Sequence, residues 1–267
     1  MQKFQHAAIM SDGDNTLLAK NHQIPQRNLD AIHRFVGQGG SFVLATGRPI
    51  HGARFVVQQL PQPLLGVYFN GALIYDHSSG KRIHMDPLPS GMNQVAAYVM
   101  QTYPNIGIEC FTMNDAWIIQ NSPYTRFHFR LLQEEVRFLS VHGIPQDGIL
   151  KMFMTGDRTE LDIIRGELLT RFPQQFHAVR SGDHYLEIFS NTSSKGVAVD
   201  VLREHFQRKR LIYAIGDSFN DIPMLKAADR AFAPADGEES VHKLCQVVCP
   251  CDDGSVADVI EHLEASL

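Results

Sequence analysis

Long apolar runs, cysteine and a strong excess of either charge are all scarce in this chain of 267 residues. No apolar run approaches the roughly 18 residues that a membrane span requires. The opening residues MQKFQHAAIM also lack the apolar segment and cleavage site of a signal peptide. A soluble, cytoplasmic protein is the expectation, with no membrane partner. Of four cysteines, Cys110 stands alone and Cys245, Cys249 and Cys251 cluster near the C-terminus. Their spacing is not the paired C-x2-C of a zinc site and no fourth ligand is evident, so reduced structural thiols are expected. The formal net charge of −5 argues against a general nucleic-acid binder, which carries a basic excess. A phosphorylated small substrate would suit that charge only with a cation or local basic residues at its site. The sequence carries no mark of its oligomeric state.

What is present is ordinary globular material, 44% hydrophobic and 20% charged. The length suffices for one large domain or two smaller ones. Short apolar runs end repeatedly in small polar residues. His6–Met10 leads to Asp12, Ser41–Ala45 to Thr46-Gly47-Arg48, Val67–Phe69 to Asn70-Gly71, and Leu211–Ile215 to Gly216-Asp217. Continuous rather than alternating runs of this length are the mark of buried parallel strands. Helical patterns lie between them, over Gln26–Val36 and His51–Leu60. Strand and helix in alternation predict an α/β fold with a doubly wound parallel sheet. Ligands bind such sheets beyond the carboxyl ends of the strands, so the polar clusters should converge.

Residues from about Ile83 to Ser190 follow another pattern and are too many for a loop. Helices are expected over Gly91–Tyr103, Pro123–Gln133 and Thr159–Phe172. Strands are expected over Ile106–Thr112, Trp117–Gln120, Ile149–Thr155, Phe176–Arg180 and Tyr185–Phe189. This is an α+β domain inserted into the first, with residues 1–83 and 191–267 forming the core and 84–190 the insertion.

Asp12 and Asp14, one residue apart in SDGDNTLLAK, raise the question of charge. Like charges at that range raise each other's pKa unless something positive lies near. A polar turn after a strand is one reading. A calcium loop is another, but the EF-hand pattern wants Gly and Glu where this chain has Leu17 and Gln23. A magnesium-dependent catalytic pair is the third.

The segments AAIMSDGDNTLL, FVLATGRP, YFNGALIYD, SSKG and AIGDSFNDIPML, in that order, resemble the motifs of the haloacid dehalogenase superfamily of phosphohydrolases. With an insertion between the second and third motifs, the chain is similar to the Cof-type branch (subfamily IIB), whose inserted domain is a C2 cap. The resemblance spans nearly the whole chain. It implies a Mg²⁺-dependent phosphatase of a small phosphorylated metabolite, a sugar phosphate or a phosphorylated cofactor. Asp12 would attack phosphorus to give an aspartyl-phosphate, and Asp14 would be the general acid and base. The metal would take the Asp12 and Asp217 carboxylates and the Asp14 backbone carbonyl. Gly13, Thr46, Gly47, Lys195 and Asn220 would hold the phosphoryl group, with Asp221, Asn70 and Arg48 in support. Asn114, Trp117, Arg126, His128, Lys151, Arg180 and His184 are the cap residues available to choose a substrate.

Two positions depart from the family pattern: Asn15 replaces a glycine, and Asp236 stands where Asn is frequent. Asn tolerates left-handed backbone, so the turn should survive. A sugar phosphomutase would share the nucleophile, but nothing in the sequence signals return of the phosphoryl group to a sugar. A phospho-accepting receiver domain also uses such a sheet with Thr and Lys. It needs about half this length and has no use for Asp14 or the insertion.

Overall fold

The short apolar runs are strands. The structure, a computed structural model, describes residues 2–131, 135 and 137–266. In chain order the strands are β1 (Ala7–Asp12), β2 (Ser41–Ala45), β3 (Leu64–Tyr68), β4 (Leu73–Asp76), β5 (Lys81–Met85), β6 (Gly107–Phe111) and β7 (Ala116–Gln120). They continue as β8 (Lys151–Thr155), β9 (His177–Gly182), β10 (Tyr185–Phe189), β11 (Leu211–Ile215), β12 (Arg230–Pro234) and β13 (Gln246–Val248). The helices are α1 (Gln26–Gly37), α2 (Arg54–Val57), α3 (Met92–Thr102), α4 (Thr125–Leu131), α5 (Arg158–Arg171), α6 (Lys195–His205), α7 (Ile222–Ala227), α8 (Glu239–His242) and α9 (Ser255–Ser266). Two compact units result: residues 1–47, 53–85 and 194–267 in the first, residues 48–52 and 86–193 in the second.

The first unit is built on a sheet of order β13-β12-β11-β1-β2-β3-β4-β5. From β13 to β3 every pairing is parallel, whereas β4 and β5 are antiparallel additions at one edge. The cause of the reversal is local. Phe69, Asn70 and Gly71 follow β3 with φ of 52°, 56° and 110°, three left-handed residues in succession that turn the chain back. Ala8, Met10, Val43, Ala45, Val67 and Ala214 pack one sheet face against Ala198, Val199 and Leu202 of α6 and Met224 of α7. In the middle of the sheet Ser11 pairs with Ile215 and Asp12 with Ala45, so β1, β2 and β11 end side by side. The expected helix over His51–Leu60 is shorter: a single 3-10 turn at His51–Ala53 precedes α2. β12 and β13 complete the sheet beyond the strands read from the sequence.

The second unit is an antiparallel sheet of order β7-β6-β8-β10-β9. Alternation sends Ile108, Cys110, Met152, Met154, Leu186 and Ile188 to one face, into a core with Val95 and Val99 of α3 and Leu161 and Ile164 of α5. The helix expected over Pro123–Gln133 runs from Thr125 to Leu131. Its expected last residues, 132 and 133, lie outside the described residues.

Candidate active site

Adjacent strand ends bring the polar clusters of the first unit together. Asp12 is the last residue of β1 and is 6% exposed. Leu17 N–H and Leu18 N–H donate to the Asp12 and Gly13 carbonyls, closing a tight turn in which Asn15 has a φ of 55°. Asn15 thus adopts the left-handed backbone that its replacement of glycine requires. Asp14 is half-buried in this turn, bridged to Leu18.

Lys195 opens α6, whose N-cap Ser194 accepts from Val197 N–H at 3.1 Å. The Lys195 side chain is fully buried, and its ammonium donates to Asp12 Oδ1 and, at 2.6 Å, to Asp221 Oδ1. Asp221 is itself fully buried, and its Oδ2 accepts the Asp217 and Ser218 amides, each at 3.1 Å. A Cβ on Gly216 would stand 2.4 Å from Asp221 Cγ, so only glycine fits there. Thr16 Oγ1 donates to Asp217 Oδ1 at 3.1 Å. Carboxylate oxygens of Asp12, Asp217 and Asp221 lie within 4.8 Å of one another.

Three carboxylates around one ammonium leave negative charge in excess, and the protonation equilibria show it. Burial, then the charge of Asp221, pushes Asp12 well above the usual carboxylate range, although Lys195 opposes the shift. Burial and Asp221 likewise raise Asp217 to about 6. Burial works against the Lys195 ammonium, but Asp12 and Asp221 outweigh it and raise its pKa.

Thr46, buried at the end of β2, donates its N–H to Val67 O and accepts Asn70 N–H at its own carbonyl. A Cβ on Gly13 would meet Thr46 Oγ1 at 3.5 Å, and one on Gly47 would meet Asn70 Oδ1 at 3.0 Å. Asn220 Nδ2 donates to Asn70 Oδ1 at 3.3 Å, and Ser218 Oγ donates to Asn220 Oδ1 at 2.7 Å. Arg48 differs from the others. It belongs to the residue 48–52 segment of the second unit, where its guanidinium donates to Gly52 O at 3.4 Å. Thr16 had been given no role from the sequence, although it stands in the same acidic motif. Asp221, assigned only a supporting place, is the most deeply tied carboxylate of the group.

Among the described residues no other cluster of His, Cys, Asp and Glu has this spacing, and the cysteines are unbridged thiols. Cys251 donates its N–H and thiol to Asp236, at 2.9 and 3.3 Å. Asp236 therefore has a partner of its own and also pairs with Lys20 at 2.9 Å.

The strand ends of a doubly wound sheet thus gather three acidic residues around one buried lysine. The haloacid dehalogenase-like hydrolase family matches residues 9–260, and the chain belongs to it. Its curated relatives include an HMP-PP phosphatase of Escherichia fergusonii, 24% identical over 230 residues, covering 83% of this chain and 81% of that one. The crystal structure of a haloacid dehalogenase-like hydrolase from Bacteroides thetaiotaomicron superposes with a TM-score of 0.89 at 24% identity, over 97% of this chain and 99% of that one. The subclass IIB sugar phosphatase BT4131 superposes with a TM-score of 0.79 at 18% identity, over 97% and 99%. These likenesses establish the fold, and the chain is a phosphatase-type enzyme of this family. No helix among the described residues is long and apolar enough to cross a membrane.

Proposed function

We propose that the protein is a Mg²⁺-dependent phosphatase that hydrolyses a small phosphorylated metabolite through an aspartyl-phosphate on Asp12. The observation that carries this reading is the Asp12–Lys195–Asp221 chain of charges with Asp217 beside it. The HMP-PP phosphatase and sugar phosphatase relatives support a small phosphorylated substrate.

The residues fit a magnesium ion. The donors are all oxygen, the hard-ligand set that Mg²⁺ prefers, and their repulsion is left uncompensated by the single lysine. The Asp12 and Asp217 carboxylates and the Asp14 carbonyl would hold it, with Asp221 behind them. Bound there, Mg²⁺ offsets the repulsion between nucleophile and phosphate and polarises the phosphoryl group.

The protein's own groups then divide the work. An Asp12 oxygen forms a bond to phosphorus as the ester P–O bond breaks, and the leaving oxygen takes the proton carried by Asp14. Asp14, now a carboxylate, accepts a proton from the water whose oxygen displaces Asp12 from phosphorus. Acid–base help of this kind contributes about 10²–10⁴-fold in rate. The Gly13 and Gly47 amides, the Thr46 hydroxyl, the Asn220 amide and the Lys195 ammonium are donors suited to the phosphoryl oxygens. Asn70 acts through Asn220, and Arg48 would meet an anionic group of the substrate. The inserted residues 84–190 would set substrate choice. Unbridged thiols support a cytoplasmic location.

The test is p-nitrophenyl phosphate turnover with Mg²⁺ and after chelation, in the native protein and in Asp12→Asn. The variant is expected to lose at least about 10³-fold in kcat. Undiminished turnover by Asp12→Asn would exclude the mechanism. Asp14→Asn, quenched in acid, should yield a phosphorylated Asp12 peptide.

A further inference from the structure

At the end of the first unit's sheet remote from Asp12, a surface depression of about 280 Å³ opens between His6 and the α6–β11 connection. The connection contributes His205, Phe206, Gln207, Lys209 and Arg210 to its lining. His6 stands just ahead of β1 and accepts Leu211 N–H at its carbonyl, at 2.8 Å. The depression therefore lies at the amino ends of β1 and β11, whereas Asp12 and Asp217 lie at or beyond their carboxyl ends. The six residues of β1, at roughly 3.3 Å each, put about 20 Å between the two places. The proposed chemistry has no use for it.

None of the lining residues is an acid, although the chain carries 29 acids against 24 lysines and arginines. Arg210 donates from Nη1 to the Ala7 and Gly39 carbonyls, at 3.0 and 2.9 Å, and its guanidinium lies over the Phe206 ring. Its plane is thereby fixed. Nε and Nη2, the paired edge of the fork, are left without a protein partner among the described residues. Burial lowers the Arg210 pKa, and no carboxylate offsets that shift. Lys209 is exposed and donates to a neutral partner, Gln207 Oε1, at 2.9 Å. His205 is exposed beside the Phe206 ring. His6 is already spent: its Nε2 accepts from Gln5 Nε2 at 3.0 Å, and its Nδ1 donates to Lys209 O at 3.3 Å.

Nearby acids are engaged elsewhere. Glu204 pairs with Arg208 and Asp229 with Arg203, while Asp76, within electrostatic reach of His205, is held by Ser78 and Ser79. Cations at a helix end commonly serve its last carbonyls. Here amides take them: Leu202 O, Glu204 O and Arg203 O accept from Phe206, Gln207 and Arg208 N–H. The turn that does so holds Gln207 and Arg208 left-handed, with φ of 52° and 57°. It brings Lys209 and Arg210 to the same depression as His205.

The chemistry of a ligand follows from these groups. Two fixed positive charges, an open guanidinium edge and an imidazole suit a compact anion that accepts from several directions, as a phosphate group does. The volume is at the lower limit for a small-molecule pocket, so the molecule that carries the phosphate is small.

We propose that this depression is an anion site separate from Asp12, binding a small phosphate-bearing molecule through the Arg210 guanidinium edge, the Lys209 ammonium and the His205 ring. The phosphate could be free inorganic phosphate or the phosphate of a small metabolite. Neither source depends on the phosphatase reading above.

The test is calorimetric titration of the full chain in chelator with inorganic phosphate, ribose 5-phosphate and citrate. Native protein is compared with Lys209→Glu and with Lys243→Glu, an exposed position on α8 that undergoes the same change of charge. Phosphate or ribose 5-phosphate should bind at least about tenfold more weakly to Lys209→Glu, and within about twofold of native to Lys243→Glu. Tighter binding of ribose 5-phosphate than of phosphate identifies a metabolite as the source, and the reverse or equality identifies free phosphate. A smaller loss in Lys209→Glu, or one shared by Lys243→Glu, would overturn the proposal. So would the absence of saturable binding to the native protein below about 10 mM, or an equal affinity for citrate. Lys209→Ala is read in the same way should the glutamate variant not fold. Because binding and not turnover is measured, a protein that hydrolyses no ester still decides this site.

Discussion

Asn220 donates through Nδ2 to Oδ1 of Asn70, 3.3 Å away and 150 residues earlier in the chain. Asn70 in turn ties its N–H to the Thr46 carbonyl at 3.1 Å, so one side chain and one amide link the ends of β2, β3 and β11. It does so from a left-handed backbone, φ 56°, that asparagine tolerates better than most residues. Asn70→Ala is expected to lower kcat about tenfold through misplaced phosphoryl donors. Asn70→Gly, which suits the backbone, should lose similar activity while melting no lower than the alanine variant. Phosphate-release kinetics and thermal melts separate these effects. Native kcat in both variants would remove Asn70 from the site.

The burial of Lys195 between two carboxylates predicts unequal costs for the two sides of the cluster. Lys195→Met leaves three buried acids without a cation and should destabilise the metal-free protein by about 3–5 kcal/mol. Asp12→Asn removes one of the repelling acids while Asp221 still holds the lysine, so its denaturation midpoint should be equal to or above native. Urea unfolding of both variants in chelator checks the contrast.

The raised pKa of Asp217, about 6, has a defined sign in stability. The folded protein holds this proton more tightly than the unfolded chain, whose aspartates titrate near 3.8. The site therefore favours the fold most below about pH 4, and that contribution is lost as the pH rises to about 6. Magnesium requires the deprotonated carboxylates, so its stabilising effect should grow over the same interval. Melting temperatures across pH 4–8, with chelator and with Mg²⁺, should diverge above pH 6. In Asp217→Asn that divergence should shrink.

Gly71 predicts a steric limit. Its φ is 110°, and a Cβ would stand 2.2 Å from the Ser194 carbonyl oxygen, immediately before the lysine helix. Gly71→Ala should cost about 2–4 kcal/mol and displace Lys195, lowering activity as well. Gly148→Ala, also left-handed but with open space around it, is the control. Its loss should be smaller and confined to stability.

The parallel strands of the first unit were legible because their apolar runs are continuous and end in Gly or polar residues. β4 and β5 were not, because LIYD follows a turn signal and KRIHM is polar, as an exposed edge permits. The helix over His51–Leu60 was overextended because an apolar spacing says nothing about a 3-10 entry. In the candidate site, residue types and order pointed to Asp12, Lys195 and Asp217, which the structure brings together, but only the tertiary structure shows Asp221 fully buried against the lysine. Glu109, one acid inside the apolar strand GIECF, could have been flagged, and the structure buries it against His128. His128 and Lys151 are two of the cap positions named from sequence, and Lys151 pairs with Glu187. Arg180 is instead tied to the Gly182 and Asp183 carbonyls and to Asp162.

The pairing of β1 with β11 has a consequence for biosynthesis. Asp12 precedes its lysine by 183 residues, and Thr16 precedes the Asp217 to which it donates by 201. Contacts of such separation form late and slowly. During translation β1 must therefore wait for α6 and β11 before its terminal carboxylate meets Lys195 and lies beside Asp217. A product that ends before residue 195 lacks both Lys195 and Asp221, the buried partners that tie Asp12 into its charge chain.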